Sequence, residues 1–448
     1  MRALQSLNLL LRRVSHAAAA GPTIIFVVMM ATVPYATAQS YTVLHNFTGG
    51  ADGSTPYGGL NMDSAGNLYG TTCGIYCLGA GSNWGTVFRL SQRGLGWVLT
   101  TLYTFQGGPD GSSPTGRVVF GRDGNLYGTT IYGGHNGCGG SGCGTVFKLT
   151  PPSANVPPNA TAGWIKTTLY GFLAGNDGKE PMYGDVVFDQ AGNLYGTTAG
   201  GGPQGAGTVY KLTPSGGGWT ESVIYAFTGG GDGAEPLGTL YIADNGGVAG
   251  SAFTGGRGSC LAGEPCGTIF ELTPSASAWT ENTLYTFQGG SDGGNPIGGP
   301  LGCVDTSCII TASQGGMAGG GRVFILNNGL FDHEFAGSGN TPGPWASLTG
   351  SETGLYGTTY EDGAYQMGSV FMLSGCAGWG YTDLHDFSGT DGSYPVSSLV
   401  YQSGSGGGVL YGTTSQGGAY GYGVVFALTL PSGREDVSKC ANRRQGAK

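Results

Sequence analysis

Asn193-Leu194-Tyr195-Gly196-Thr197-Thr198, followed by Gly207-Thr208-Val209-Tyr210-Lys211-Leu212, decides the fold of this chain. The first hexapeptide recurs at Asn67 and Asn125, with variants at Gly354 and Val409. The second, of G-T-V-F type, starts at Gly85, Gly144, Gly207, Gly267, Gly368 and Gly423. A G-R-V-F variant at Gly321 brings the copies to seven, spaced 47 to 63 residues apart. A third element, of L-Y-T-F type, ends at Phe47, Phe105, Phe172, Phe227, Phe287, Phe335 and Phe387. Repetition at such a period marks an array of supersecondary units.

Each unit reads as four strands. The first follows a proline, as in Pro181 to Phe188, and turns through Asp189-Gln190-Ala191-Gly192 into the second, Leu194 to Thr198. A glycine-rich loop leads to the third, Thr208 to Leu212, and a Pro/Gly/Ser loop to the fourth, Glu221 to Phe227. Alternation and β-branched or aromatic enrichment support each strand. Four strands in 40–60 residues make one propeller blade, so the fold expected is an all-β, seven-bladed propeller. The chain enters on a fourth-type strand, Tyr41 to Phe47, and leaves on first-, second- and third-type strands within Val396 to Leu428. The N-terminal strand is therefore expected to complete the last blade and close the ring without open edges. A β-solenoid is the competing architecture, but its repeats are shorter. Two residues after the proline stand Gly58, Gly116, Gly238, Gly298, Ala346 and Ser397, with Gly184 after one insertion. Small side chains there suit innermost strands crowded about an axis.

The 93 Gly and 21 Pro make up about a quarter of the 448 residues; without periodicity that composition would signal disorder. Residues 1–38 read as a signal peptide: Arg2, Arg12 and Arg13, an apolar run from Ile24 to Val33, and Ala36-Thr37-Ala38 before Gln39. The run falls short of the roughly 20 residues that span a bilayer, so no membrane insertion is expected after its removal. Residues 39–430 are assigned to the propeller and 431–448 to a polar tail. Loss of the three arginines leaves 15 basic against 27 acidic residues, a net charge of −12. That balance disfavours nucleic acid and anionic membranes.

Ten cysteines fit an exported chain. Eight form close pairs, Cys73/Cys77, Cys138/Cys143, Cys260/Cys266 and Cys303/Cys308, and are expected to be local disulfides. Their spacings vary and each pair sits in a different repeat, which disfavours zinc. Cys376 and Cys440 are left to pair with each other.

The segments F-x-G-G-x-D-G-x-x-P, G-N-L-Y-G-T-T and G-T-V-F-K-L resemble the GloVer tandem repeat of exported bacterial proteins, over nearly all of residues 41–428. Thr145 to Leu149 and Thr208 to Leu212 match the last element closely. The order Pro, strand, Gly-Asn, strand is similar, more loosely, to the NHL type of propeller. The GloVer resemblance implies no defined activity. Blade four departs from it at Gly246 to Gly250, blade five at Ile309 to Ala312, and blade six at Ser338-Gly339-Asn340.

Candidate chemistry is sparse. Asp-Gly recurs at Asp52, Asp110, Asp177, Asp232, Asp292 and Asp391. A side-chain turn cap with glycine in the left-handed position explains that recurrence better than a carboxylate ring does. Three residues after the proline the column reads Gly59, Arg117, Thr239, Gly299, Ser347 and Ser398, with Asp185 in blade three after its one-residue insertion. Arg117 and Asp185 are thus expected near the channel on adjacent blades, to contact a ligand or to pair with each other. Trp345 opens the first strand of blade six, where Tyr57, Thr115, Leu237, Ile297 and Val396 stand elsewhere; a Trp there packs, or stacks on a sugar ring. His45 and His385 share a position in the outermost strand, and Asp332-His333-Glu334 divides between two strand faces. No nucleophile elbow, phosphate loop, zinc-protease motif or calcium loop is present, and no catalytic residue, metal or cofactor is expected. The function expected is a monomeric, secreted, periplasmic or cell-surface binding module for glycans or a cell-surface protein. The alternative is a carbohydrate-active lyase or hydrolase working at the channel.

Overall fold

A computed structural model describes residues 39–431, apart from 75–76, 78–82, 153–162, 261–262, 277, 305–306, 327–330, 337–342, 375–379 and 405–406. The segment read as a signal peptide, 1–38, the part of the expected tail beyond 431, and Cys376 with Cys440 lie outside the described residues. The described strands form seven four-stranded antiparallel sheets, six of them built from four strands consecutive in the chain. Blade three shows the plan: Val187–Phe188, Leu194–Thr198, Thr208–Ser215 and Gly218–Ala226. The last sheet is closed by the first strand, Ser40–Asn46, which pairs antiparallel with Val424–Thr429. This is a seven-bladed β-propeller closed by its N-terminal strand, as the order of repeat elements predicts.

The repeat motif is a set of joints between blades. The Phe that ends one fourth strand meets the aromatic of the next blade's G-T-V-F element. Phe47–Phe88, Phe105–Phe147, Phe172–Tyr210, Phe227–Phe270, Phe335–Phe371 and Phe387–Phe426 all lie 4.8–5.3 Å apart between ring centroids. The Gly of Y-G-T-T gives that ring room: a Cβ on Gly70 would lie 2.5 Å from Phe88, and one on Gly250 would lie 2.4 Å from Phe270. Of the two threonines, the second bonds across to the third strand, Thr72 to Thr86 at 2.8 Å and Thr130 to Thr145 at 2.7 Å. The first reaches the next blade: Thr71 Oγ1 donates to the Gly116 carbonyl, Ser251 to Gly298, Thr311 to Ala346 and Thr358 to Ser397. Gly207 has φ of +96° and backs onto Pro236 of the following unit, where a Cβ would lie 2.6 Å from the proline ring.

One expectation changes. The first strand, read as Pro181 to Phe188, is a ladder only over Val187–Phe188. The residues before it bond to neighbouring blades instead: the Tyr183 amide to Thr115 Oγ1 at 3.1 Å and the Asp185 amide to Thr239 Oγ1 at 3.0 Å. Crowding at the axis is the cause. A Cβ on Gly116 would stand 2.7 Å from the Gly184 carbonyl, and one on Gly58 would stand 2.6 Å from that of Gly116.

The four local cysteine pairs are disulfides, Cys73–Cys77, Cys138–Cys143, Cys260–Cys266 and Cys303–Cys308. Cys73, Cys143, Cys266 and Cys308 are fully buried. Mass spectrometry of non-reduced peptides should recover these four links; free thiols at most of the eight positions would contradict both the pairing and an oxidising compartment.

Candidate functional site

The recurring Asp-Gly element is structural. Asp110 Oδ2 accepts from the Gln106 amide at 2.8 Å and Oδ1 from the Tyr103 hydroxyl at 2.7 Å. Asp177, Asp232 and Asp292 repeat this with Tyr170, Tyr225 and Tyr285. His45 and His385 take the tyrosine's place beside Asp52 and Asp391, at 3.0 and 2.9 Å. These carboxylates face inward to fold their own loops. Asp63, Asp123 and Asp189 do the same before the second strand, where Asn67, Asn125 and Asn193 donate to them. Burial holds the His333 imidazole below its ordinary pKa, so it is neutral at pH 7. Among the described residues, no group of three or more His, Cys, Asp or Glu could hold a metal ion.

The axial channel gathers the column that the sequence singles out. Tyr57, Arg117, Tyr183, Asp185, Thr239 and Trp345 all line it, with small residues between them. Arg117 and Asp185 pair with each other. Asp185 Oδ1 accepts from the Arg117 backbone amide at 2.7 Å; Oδ2 accepts from Nε at 2.7 Å and lies 2.6 Å from Nη2. Both carboxylate oxygens are therefore occupied, and the Asp185 side chain is only 8% exposed. The free volume in the channel is about 40 Å³, room for a few waters at ~10–15 Å³ each and far below the ~300–1,000 Å³ of small-molecule pockets.

The mouth of the channel is aromatic. Trp345 and Tyr360 have ring centroids 5.0 Å apart, Tyr360 and Tyr394 5.1 Å, and Tyr57 and Tyr183 6.0 Å, all mutually tilted by 34–40°. All five rings are half-buried. Burial, then the proximity of Tyr183 and Tyr360, pushes the Tyr57 phenol far above its ordinary value, so its hydroxyl stays protonated at neutral pH. The Trp345 indole N–H is buried and has no acceptor, an uncommon state for a buried donor. Tyr360 and Tyr394 were invisible to a reading of the first-strand column. Tyr360 follows the Thr-Thr pair, where Cys73, Ile131 and Ala199 stand in blades one to three, and Tyr394 precedes its proline. Their signal is departure from the repeat: three aromatic substitutions fall within blades six and seven.

Residues 31–263 and 258–447 each match the Gloeobacter/Verrucomicrobia repeat. The chain belongs to that family. Each match spans several blades of the propeller. No match is found among curated proteins. Of solved structures, a Dyadobacter fermentans protein of unknown function is similar at 12% identity and a TM-score of 0.46, over 88% of this chain and 99% of that one. A polysaccharide lyase aligns at 10% identity and 0.42, over 86% and 91%. A Trypanosoma rangeli sialidase in complex with an inhibitor aligns at 11% and 0.40, over 88% of this chain and 60% of that one. Likenesses this distant say nothing about the site. No helix among the described residues is long and apolar enough to cross a membrane, and the four disulfides suit an oxidising environment outside the cytoplasm.

Proposed function

We propose that this repeat propeller is an exported, monomeric, non-enzymatic binding module whose ligand is a glycan laid across the aromatic mouth of the channel. The observation that carries the reading is the convergence of Trp345, Tyr360, Tyr394, Tyr57 and Tyr183, half-buried and tilted, around a buried indole N–H that lacks an acceptor. Sugar rings offer apolar C–H faces for such rings and hydroxyl oxygens for such a donor. The channel beneath is too small to take a sugar, so the ligand rests on the face. The enzymatic alternative is weaker because glycoside hydrolysis generally uses two carboxyl groups. Asp185 is the carboxylate among the channel-lining residues, and Arg117 occupies both its oxygens. A net charge of −12 after loss of residues 1–38 disfavours nucleic acid as partner.

A glycan array with the mature protein tests this reading. Retention of a defined set of glycans is expected, and W345A should weaken it about tenfold, equivalent to ~1.4 kcal/mol, with little change in melting temperature. Retention of no glycan would refute the reading. Release of shortened products from a polysaccharide panel would put the enzyme in its place.

A further inference from the structure

The junction between blades two and three differs from the junction before it by a reversal of charge. At the first, Lys166 stands opposite Leu149 in the outermost hairpin of blade two. Its ammonium bonds to the Asp110 backbone carbonyl, to Asp110 Oδ1 at 3.2 Å and to Thr168 Oγ1 at 2.9 Å. At the second, the register is the same, with Glu221 opposite Leu212. The turn Gly175–Asp177 packs on the strand Gly218–Ala226 that carries Glu221. A carboxyl group thus occupies the repeat position of an ammonium, beside the equivalent carboxylate. Asp177 Oδ2 is fully used, accepting from the Tyr170 hydroxyl at 2.8 Å and the Leu173 amide at 3.0 Å. Asp177 Oδ1 and Glu221 Oε1 are both buried and both without a donor. Two buried carboxylate oxygens cannot both remain charged and unpartnered at low cost.

We propose that Glu221 keeps its proton, so that a carboxylic acid O–H on Glu221 donating to Asp177 Oδ1 latches blade two to blade three, and that the latch opens as the proton leaves. No bond other than the O–H breaks, and the proton goes to solvent. The titratable groups that face Glu221 are Asp177 from the turn, Tyr170 from the fourth strand of blade two and Tyr210 from the third strand of blade three. The neighbouring Lys211 stands on the opposite face, over the Tyr195 ring. Burial first, and the Asp177 charge second, push the Glu221 pKa from its ordinary 4.5 up to about 7. The next junction holds a related pair, Glu281 and Asp232, but there Thr283 Oγ1 donates to Glu281 Oε1 at 2.8 Å. The latch is therefore specific to blades two and three.

The sign of the effect follows from the direction of the shift. Between 4.5 and about 7 the folded chain holds a proton that the unfolded chain has released, so stability falls as pH rises through this window. The stabilisation is complete below the lower value and lost above the upper one. Melting of the mature protein and of E221Q, compared at pH 5 and pH 8, isolates it, because the amide N–H replaces the Glu221 proton permanently. E221Q is expected to melt level with the parent at pH 5 and several degrees above it at pH 8. An equal difference at both pH values overturns the proposal. So does a calcium-dependent rise in parental melting at pH 8 that E221Q abolishes, since a cation would then be the occupant. If E221Q does not fold, carboxyl-carbon NMR of the parent decides: a Glu221 midpoint near 7 supports the latch, and one near 4.5 overturns it.

Discussion

A chain that begins at Gly49 is expected to unfold or aggregate at temperatures where the chain from Gln39 is folded and monodisperse. The missing strand, Ser40–Asn46, supplies the whole outer ladder of blade seven. Its loss would expose an edge on Val424–Thr429. Phe47 goes with it, fully buried and packed on Phe88, as does Tyr41, which stacks on His385 and donates to the Asp391 carbonyl at 2.6 Å. Burial of one such large side chain contributes ~1.5–3 kcal/mol, against a total domain stability of ~5–15 kcal/mol. Removing Phe47, the partly buried Tyr41 and Leu44, and a ladder of hydrogen bonds takes away most of that margin. Circular dichroism melting and size-exclusion chromatography of the two chains give the answer. Equal melting temperatures would show that the strand only caps an open array.

The second large effect is expected at the axis. R117A should lower stability by about 3 kcal/mol, the lower end of the ~3–5 kcal/mol typical of a buried ion pair that loses one partner. The lower end applies because the Arg117 side chain is 29% exposed, and because alanine keeps the backbone amide that bonds Asp185 Oδ1. The cost arises from Asp185, whose buried charge would lose both guanidinium contacts. Adding D185N removes that charge, and R117A/D185N should recover most of the loss in a urea titration. If R117A alone stays within about 0.5 kcal/mol of the parent, a range typical of an unremarkable surface site, the pair does not hold the channel and Arg117 is free for a ligand.

Blade number, strand order and ring closure were all legible in the sequence, because each depends on elements that recur. Phe47 and Phe387 announce a fourth strand by the same short pattern that Phe172 and Phe227 use. The column three residues beyond the proline also placed Arg117 and Asp185 at the axis. Two features were hidden. The residue before the proline ordinarily favours extended backbone. Here Thr55, Ser113, Glu180, Glu235, Asn295 and Tyr394 take φ of 53–58° instead. Bonds to the preceding and the following strand hold them there, as when the Glu235 amide donates to Ala206 and its carbonyl accepts from Phe253. That turn aims Tyr394 at Tyr360, so one ring of the aromatic mouth comes from a conformation that local sequence rules argue against. The Glu221–Asp177 pair was hidden for a different reason. It joins a strand of one unit to the turn before it, and only the register shared with Lys166 brings the two positions to one junction.

In four blades the residue at the first threonine of the Y-G-T-T element reaches forward to the following blade, from Thr71 to Gly116, from Ser251 to Gly298, from Thr311 to Ala346 and from Thr358 to Ser397. Each such joint is formed between neighbours in space and makes no reference to where the chain starts. A blade therefore carries half of two joints, complete only when both flanking blades are present. Cutting the polypeptide at any Asp-Gly loop and linking the old ends would keep all of these joints, whereas removing one blade would break two and leave the axis too wide for its glycines. The repeat can accordingly be permuted around the ring, yet it cannot be shortened. Copy number in this protein is a property of the circle and not of the unit.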